Sequence, residues 1–86
     1  MRFIREVTQD GAYCVIRTQT YARGIDYIMS LVTMAKGDFP TLKDEDISIA
    51  IYGGQRYKGT MGIEFKPPSQ VPDGYEIIQQ VELTLG

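Results

Sequence analysis

The chain has no histidine, and that absence removes more chemistry than any other feature of its composition. Histidine is the usual general base, the commonest metal ligand and the side chain that titrates near neutral pH. Without it, Ser30, Ser48, Ser69 and Cys14 lack the partner that most often activates a nucleophile. Cys14 is the single cysteine, so neither an intrachain disulfide nor a zinc knuckle can form, and it reads as a small core residue. Long apolar runs are also missing: no stretch approaches the roughly 20 residues of a membrane span. Residues 1–6 carry no apolar run of signal-peptide length, so the cytoplasm is the expected compartment. Nor is there a basic excess. The formal net charge is −2, whereas nucleic-acid-binding domains are usually basic.

What is present fits one globular domain spanning 1–86, with 43% hydrophobic and 23% charged residues. A domain of this size buries only about 60–65% of its unfolded surface, so a partner subunit would add useful cover.

In chain order, residues 2–8 suit a first strand and 12–18 a second, rich in β-branched residues. Asp10-Gly11 between them is a hairpin signal. Residues 21–36 form the one long helical stretch, with Thr20 as the expected N-cap and Gly37 as the expected C′ residue. Asp38-Phe39-Pro40 cannot continue it. Residues 41–46 read as a polar link. Ile47, Ile49 and Ile51 alternate with smaller or polar residues as a third strand, and Met61, Ile63 and Phe65 do so as a fourth. Residues 67–74 are a connection stiffened by prolines. Residues 75–85 are a last strand with Ile77, Val81, Leu83 and Leu85 on one face and a bulge near 78–80. The order β-β-α-β-β-β predicts an α+β fold. Its sheet is expected to be antiparallel, with one helix covering one face and the other face partly in water.

The helix is the most informative element. Ile25, Tyr27, Ile28, Met29, Leu31, Val32, Met34 and Ala35 cover an arc of roughly 220°, where a helix on a single sheet needs little more than about 100°. One flank holds Tyr27, Leu31 and Met34, and the other holds Ile25, Met29 and Val32. One flank faces the sheet, and the other needs cover from the proline-rich connection or from a second chain.

Few constellations carry chemistry. Asp44-Glu45-Asp46 lacks the spacing of a calcium loop and reads as a solvated strand entry. Glu64, Glu76 and Glu82 could meet across strands on the polar face, although paired-carboxylate hydrolysis needs two convergent acids. The loop 53–59 is the most suggestive short stretch. Gly54 permits close backbone approach, Arg56 and Lys58 bring positive charge and Tyr57 a stacking surface, a set able to hold a phosphate or an unstacked base. It is not a Walker loop. Arg2, Arg5, Arg17, Arg56 and Lys58 would form one basic face if the hairpin and this loop lie together; alternatively, such charges pair across strands.

Val15-Ile16-Arg17-Thr18-Gln19 and Val81-Glu82-Leu83-Thr84-Leu85-Gly86 resemble segments of the small phycobilisome core linker proteins. The Val-Pro-Tyr segment of that family is missing between them, and no residue role is carried over.

The sequence therefore favours a small non-enzymatic binding or assembly protein, expected to form a homodimer with Tyr27, Leu31 and Met34 in the interface. The partner is a second copy or another protein, and no cofactor, metal or membrane is implied. Two alternatives stay open. One is nucleic-acid or nucleotide binding through Gly54, Arg56, Tyr57 and Lys58. The other is a small-ligand enzyme with a helix–sheet pocket and a tyrosine as its acid or base.

Overall fold

The structure is a computed structural model that describes residues 3–18, 25–52 and 60–78. Strands β1 (Phe3–Thr8) and β2 (Cys14–Thr18) form an antiparallel hairpin in which Val7 faces Cys14 and Phe3 faces Thr18. The turn between them is longer than a two-residue loop. Asp10 closes it by accepting hydrogen bonds from the Ala12 N–H at 3.0 Å and the Thr8 hydroxyl at 2.7 Å, which hold its carboxyl below the usual carboxylate range. Gly11 sits at φ +75°, where a side chain would be strained.

Helix α1 spans Ile25–Asp38. It runs through Gly37 rather than ending before it, and Gly37 is not left-handed. Phe39 ends the helix instead: its N–H still reaches the Ala35 carbonyl at 2.8 Å while its ring is fully buried. Pro40 then bars continuation. The proposed Thr20 cap lies outside the described residues. The link 41–46 is less polar than it looks, because Leu42 joins the core. A single 3₁₀ turn, Asp44–Asp46, leads into β3 (Ile47–Tyr52), which pairs antiparallel with β4 (Thr60–Phe65).

The sheet is mixed, which corrects the antiparallel expectation. Its strand order is β3-β4-β2-β1-β5, and β5 (Glu76–Ile78) runs parallel to β1. The cause is the connection 66–75. It leaves β4, crosses two strands and returns β5 in the same direction, as a parallel pairing requires. Val71 and Tyr75 pack against the core on the way. The Tyr75 ring meets Phe39 edge-on at 5.9 Å, and Phe39 meets Phe65 at 5.4 Å.

Residues opposite each other in the ladders share a face. Val7, Cys14, Ile16, Ile63 and Phe65 form the floor under α1, and Tyr27, Ile28, Leu31 and Ala35 close it from above. The opposite face is not simply wet: Glu6, Val15, Arg17 and Ile78 are buried there. Ile77, expected on the apolar face, is 71% exposed, while its neighbour Ile78 is buried beside Thr8. The rest of the expected last strand, 79–85, lies outside the described residues.

Candidate functional site

Helix α1 lies over β2 and β4, the middle of the sheet, and leaves the terminal strand β3 beyond its shadow. Ile49 faces Ile63 in the ladder and so shares the helix-side face. Ile63 is fully buried, yet Ile49 is 57% exposed. Across from it, Met29 is 64% exposed and Val32 half-buried. Between them runs an open groove of about 410 Å³, walled by Ile28, Met29, Val32 and Thr33 from the helix and by Ile47 and Ile49 from the strand. Its end is marked by an ion pair between Lys36 and Asp44. Lys36 also complements the negative end of the helix dipole. The groove is thus lined mainly by apolar side chains, with Thr33 on the helix wall and the Lys36–Asp44 pair beside it.

Two of the three residues expected in the interface are buried within the chain. Tyr27 and Leu31 lie at the centre of the buried stripe, with Leu31 fully buried, and Met34 packs against the same cluster. Tyr27 and Leu31 are thus taken up by the chain's own core, while Met34 stays half-buried at its margin. The open flank is the other one, at Met29 and Val32. The side chain of Ile25, which belongs to that flank in sequence, lies outside the described residues.

Tyr27 has a second task. Its hydroxyl accepts the Thr18 backbone N–H at 2.8 Å, lies 2.8 Å from the Thr18 hydroxyl and donates to the Met61 carbonyl oxygen. The β2–β4 ladder ends at Arg17 opposite Gly62. Thr18 and Met61 come next, and the phenol satisfies both backbone groups where the strands have ceased to pair.

Gly54, Arg56, Tyr57 and Lys58 all lie outside the described residues. The single basic face does not form from the arginines that are described. Arg5 and Arg17 stand on opposite faces of the sheet, since Arg5 faces Ile16 and Arg17 faces Ile4. Each is paired. Arg17 donates to Glu6 at 2.9 Å, with both side chains nearly inaccessible, and Arg5 donates to Asp38 at 2.7 Å. Arg17 thus pairs across strands with Glu6, whereas Arg5 pairs with the end of the helix at Asp38.

The carboxylates do not converge either. Glu64 on β4 and Glu76 on β5 are separated by β2 and β1, a lateral distance of about 14 Å from strand spacing alone. Glu82 lies outside the described residues. Burial pushes the Glu64 carboxyl up. Asp44, Glu45 and Asp46 are exposed, as a solvated strand entry should be. Among the described residues no cluster of acidic or cysteine side chains is arranged to hold a metal ion.

A tyrosine and a carboxylate do meet, at the C-terminal end of α1. Tyr75 donates to Asp38 Oδ2 at 2.8 Å, the same oxygen that Arg5 engages. Desolvation and the Asp38 charge push the phenol well above its ordinary value, so it keeps its proton and acts as a donor, not as a base. Burial likewise raises the nearby Cys14 thiol to about 11, far from a reactive thiolate at neutral pH. The cluster ties the crossing connection to the helix end, and no sequence signal pairs these distant residues in advance.

No protein-family model, curated protein or solved structure matches the chain. Among the described residues, no helix is long and apolar enough to cross a membrane.

Proposed function

We propose that this chain is a small non-enzymatic binding or assembly protein that works as a homodimer, joined through the groove between α1 and β3. The observation that carries the reading is the pair of large apolar side chains, Met29 and Ile49, left exposed on the two walls of one groove. Burying such a side chain is worth about 1.5–3 kcal/mol, a large share of the stability of so small a domain. Closed twofold dimers are the commonest homo-oligomers, and a self-complementary patch lets each copy cover the other. Methionine suits an adaptable contact. The working compartment in this reading is the cytoplasm, where a lone reduced thiol such as Cys14 is ordinary.

The local chemistry weighs against catalysis at the tyrosine–carboxylate cluster: the Tyr75 hydroxyl is held as a donor and the Cys14 thiol as a thiol. Sedimentation velocity on the native chain and on Met29→Lys tests the proposal. The native chain sediments as a dimer, and Met29→Lys sediments as a folded monomer, while Ser69→Lys on the exposed connection leaves the dimer intact. A native chain that stays monomeric, or a Met29→Lys variant that stays dimeric, contradicts it.

A further inference from the structure

The two ends of the sheet are built differently. β5 brings a charge, Glu76, to its end of the sheet. β3 is six residues long, Ile-Ser-Ile-Ala-Ile-Tyr, and carries neither a charge nor a proline. Terminal strands are normally blunted by charges, prolines or bulges, because their unpaired backbone groups template another strand. β3 pairs with β4 in unbroken register from Ile47 opposite Phe65 to Tyr52 opposite Thr60, so no bulge interrupts it. Among the described residues nothing pairs with its outer edge. The helix-side face of the same strand, at Ile47 and Ile49, lines the apolar groove. An unpaired backbone edge beside an apolar trough specifies an extended strand with apolar side chains on alternate positions. β3 is itself such a strand.

We infer that the outer edge of β3 pairs antiparallel with β3 of a second copy to make one continuous sheet across the dimer, so that the grooves of the two copies meet over the seam. This rests on the proposed self-association and specifies its geometry. A twofold axis perpendicular to the sheet keeps each face on the same side, so the helix-side faces of the two copies join. Directly opposed residues must share a face. Symmetry then requires one residue of β3 to face its own copy, because a pairing of neighbours would set opposite faces against each other. That residue is Ile49. Centring there pairs 47 with 51 and 48 with 50, uses the strand almost end to end, and sets each Ile49 opposite its twin on the helix side. Each copy's Ile49, now more than half exposed, meets its twin beneath the two Met29 side chains.

Cysteine cross-linking and amide exchange on the full chain test the pairing. Opposed strand residues stand about 4.5–5.5 Å apart between Cα atoms, within disulfide reach. Under mild oxidation Ile49→Cys becomes a covalent dimer, whereas Ser48→Cys and Thr33→Cys do not, and the native chain, with buried Cys14 alone, is the blank. Hydrogen exchange on the native chain covers the case in which Ile49→Cys weakens the dimer. Every second amide between 47 and 52 slows by about tenfold or more as concentration rises through the dimer transition. A native dimer that cross-links through Thr33→Cys but not Ile49→Cys, with β3 amides unchanged by concentration, overturns the strand pairing and leaves the self-association standing. A native chain that is monomeric overturns both.

Discussion

The Tyr27 hydroxyl accepts the backbone N–H of Thr18 at 2.8 Å, and through that bond the helix takes over where the β2–β4 ladder stops. The same hydroxyl donates its proton to the Met61 carbonyl oxygen, so one phenol satisfies backbone groups of two strands. Tyr27 is buried, and water has little access to replace it. Removing the hydroxyl leaves a buried donor and a nearby acceptor without this partner. Tyr27→Phe is therefore expected to cost about 1–3 kcal/mol. Urea unfolding measures it. A loss below a few tenths of a kcal/mol would mean that the phenol bridges nothing of consequence.

Asp38 is the second junction. It ends α1, where a negative charge opposes the helix dipole, and it is kept there by Arg5 from β1 and Tyr75 from the crossing connection. The site is partly exposed, with side-chain accessibilities of 32% for Arg5 and 20% for Asp38, so solvent screens the pair. Asp38→Ala is expected to cost about 1–2 kcal/mol by loss of two hydrogen bonds to a charged group. Amide exchange should quicken at 71–75 more than in β3 or β4. Uniform quickening over the sheet would contradict a role in tying down the connection.

Burial holds the Cys14 thiol at about 11, above the 9.0 of a free thiol. The folded state thus keeps a proton that the unfolded state releases between pH 9 and about 11. Stability is unaffected by this group below that window and falls as pH rises through it. Tyr75, also raised, adds a loss in the same direction above pH 10. A Cys14→Ala variant should lose stability less steeply from pH 9 to 11 than the native chain, whatever its stability at neutral pH. A thiol reagent should leave native Cys14 unlabelled at neutral pH until the chain unfolds. Rapid labelling of the folded protein would contradict the buried, protonated state.

Much of the fold is legible where periodicity is clean. Ile47, Ile49 and Ile51 mark β3 because strict alternation has no helical reading, and Asp10-Gly11 marks the hairpin through its turn chemistry. The parallel β5 is not legible, because residues 67–74 are compatible with several paths, and nothing local says that Val71 and Tyr75 lie against the core. Leu42 is hidden among polar neighbours, although it packs one turn beyond Phe39. The buried Glu6–Arg17 pair joins strands through a diagonal that sequence alone does not single out. The helix flank is the instructive case. Tyr27, Leu31, Ala35 and Phe39 recur every four residues, and Ala35 and Phe39 extend the stripe beyond the Tyr27–Leu31–Met34 flank. That continuation marks the core side and assigns Met29 and Val32 to the open flank. A substitution at Leu31 is therefore expected to report stability, and one at Met29 to report the proposed association. The loop at Gly54, Arg56, Tyr57 and Lys58 lies outside the described residues.

The measurement that tests self-association through the groove most directly is the solution mass of the native chain by light scattering, followed from low to tens of micromolar. The account predicts a mass rising to twice that of the 9.7 kDa chain, with Met29→Lys held at the single-chain mass throughout. A native chain that keeps the single-chain mass across that range, with its fold intact, would contradict it.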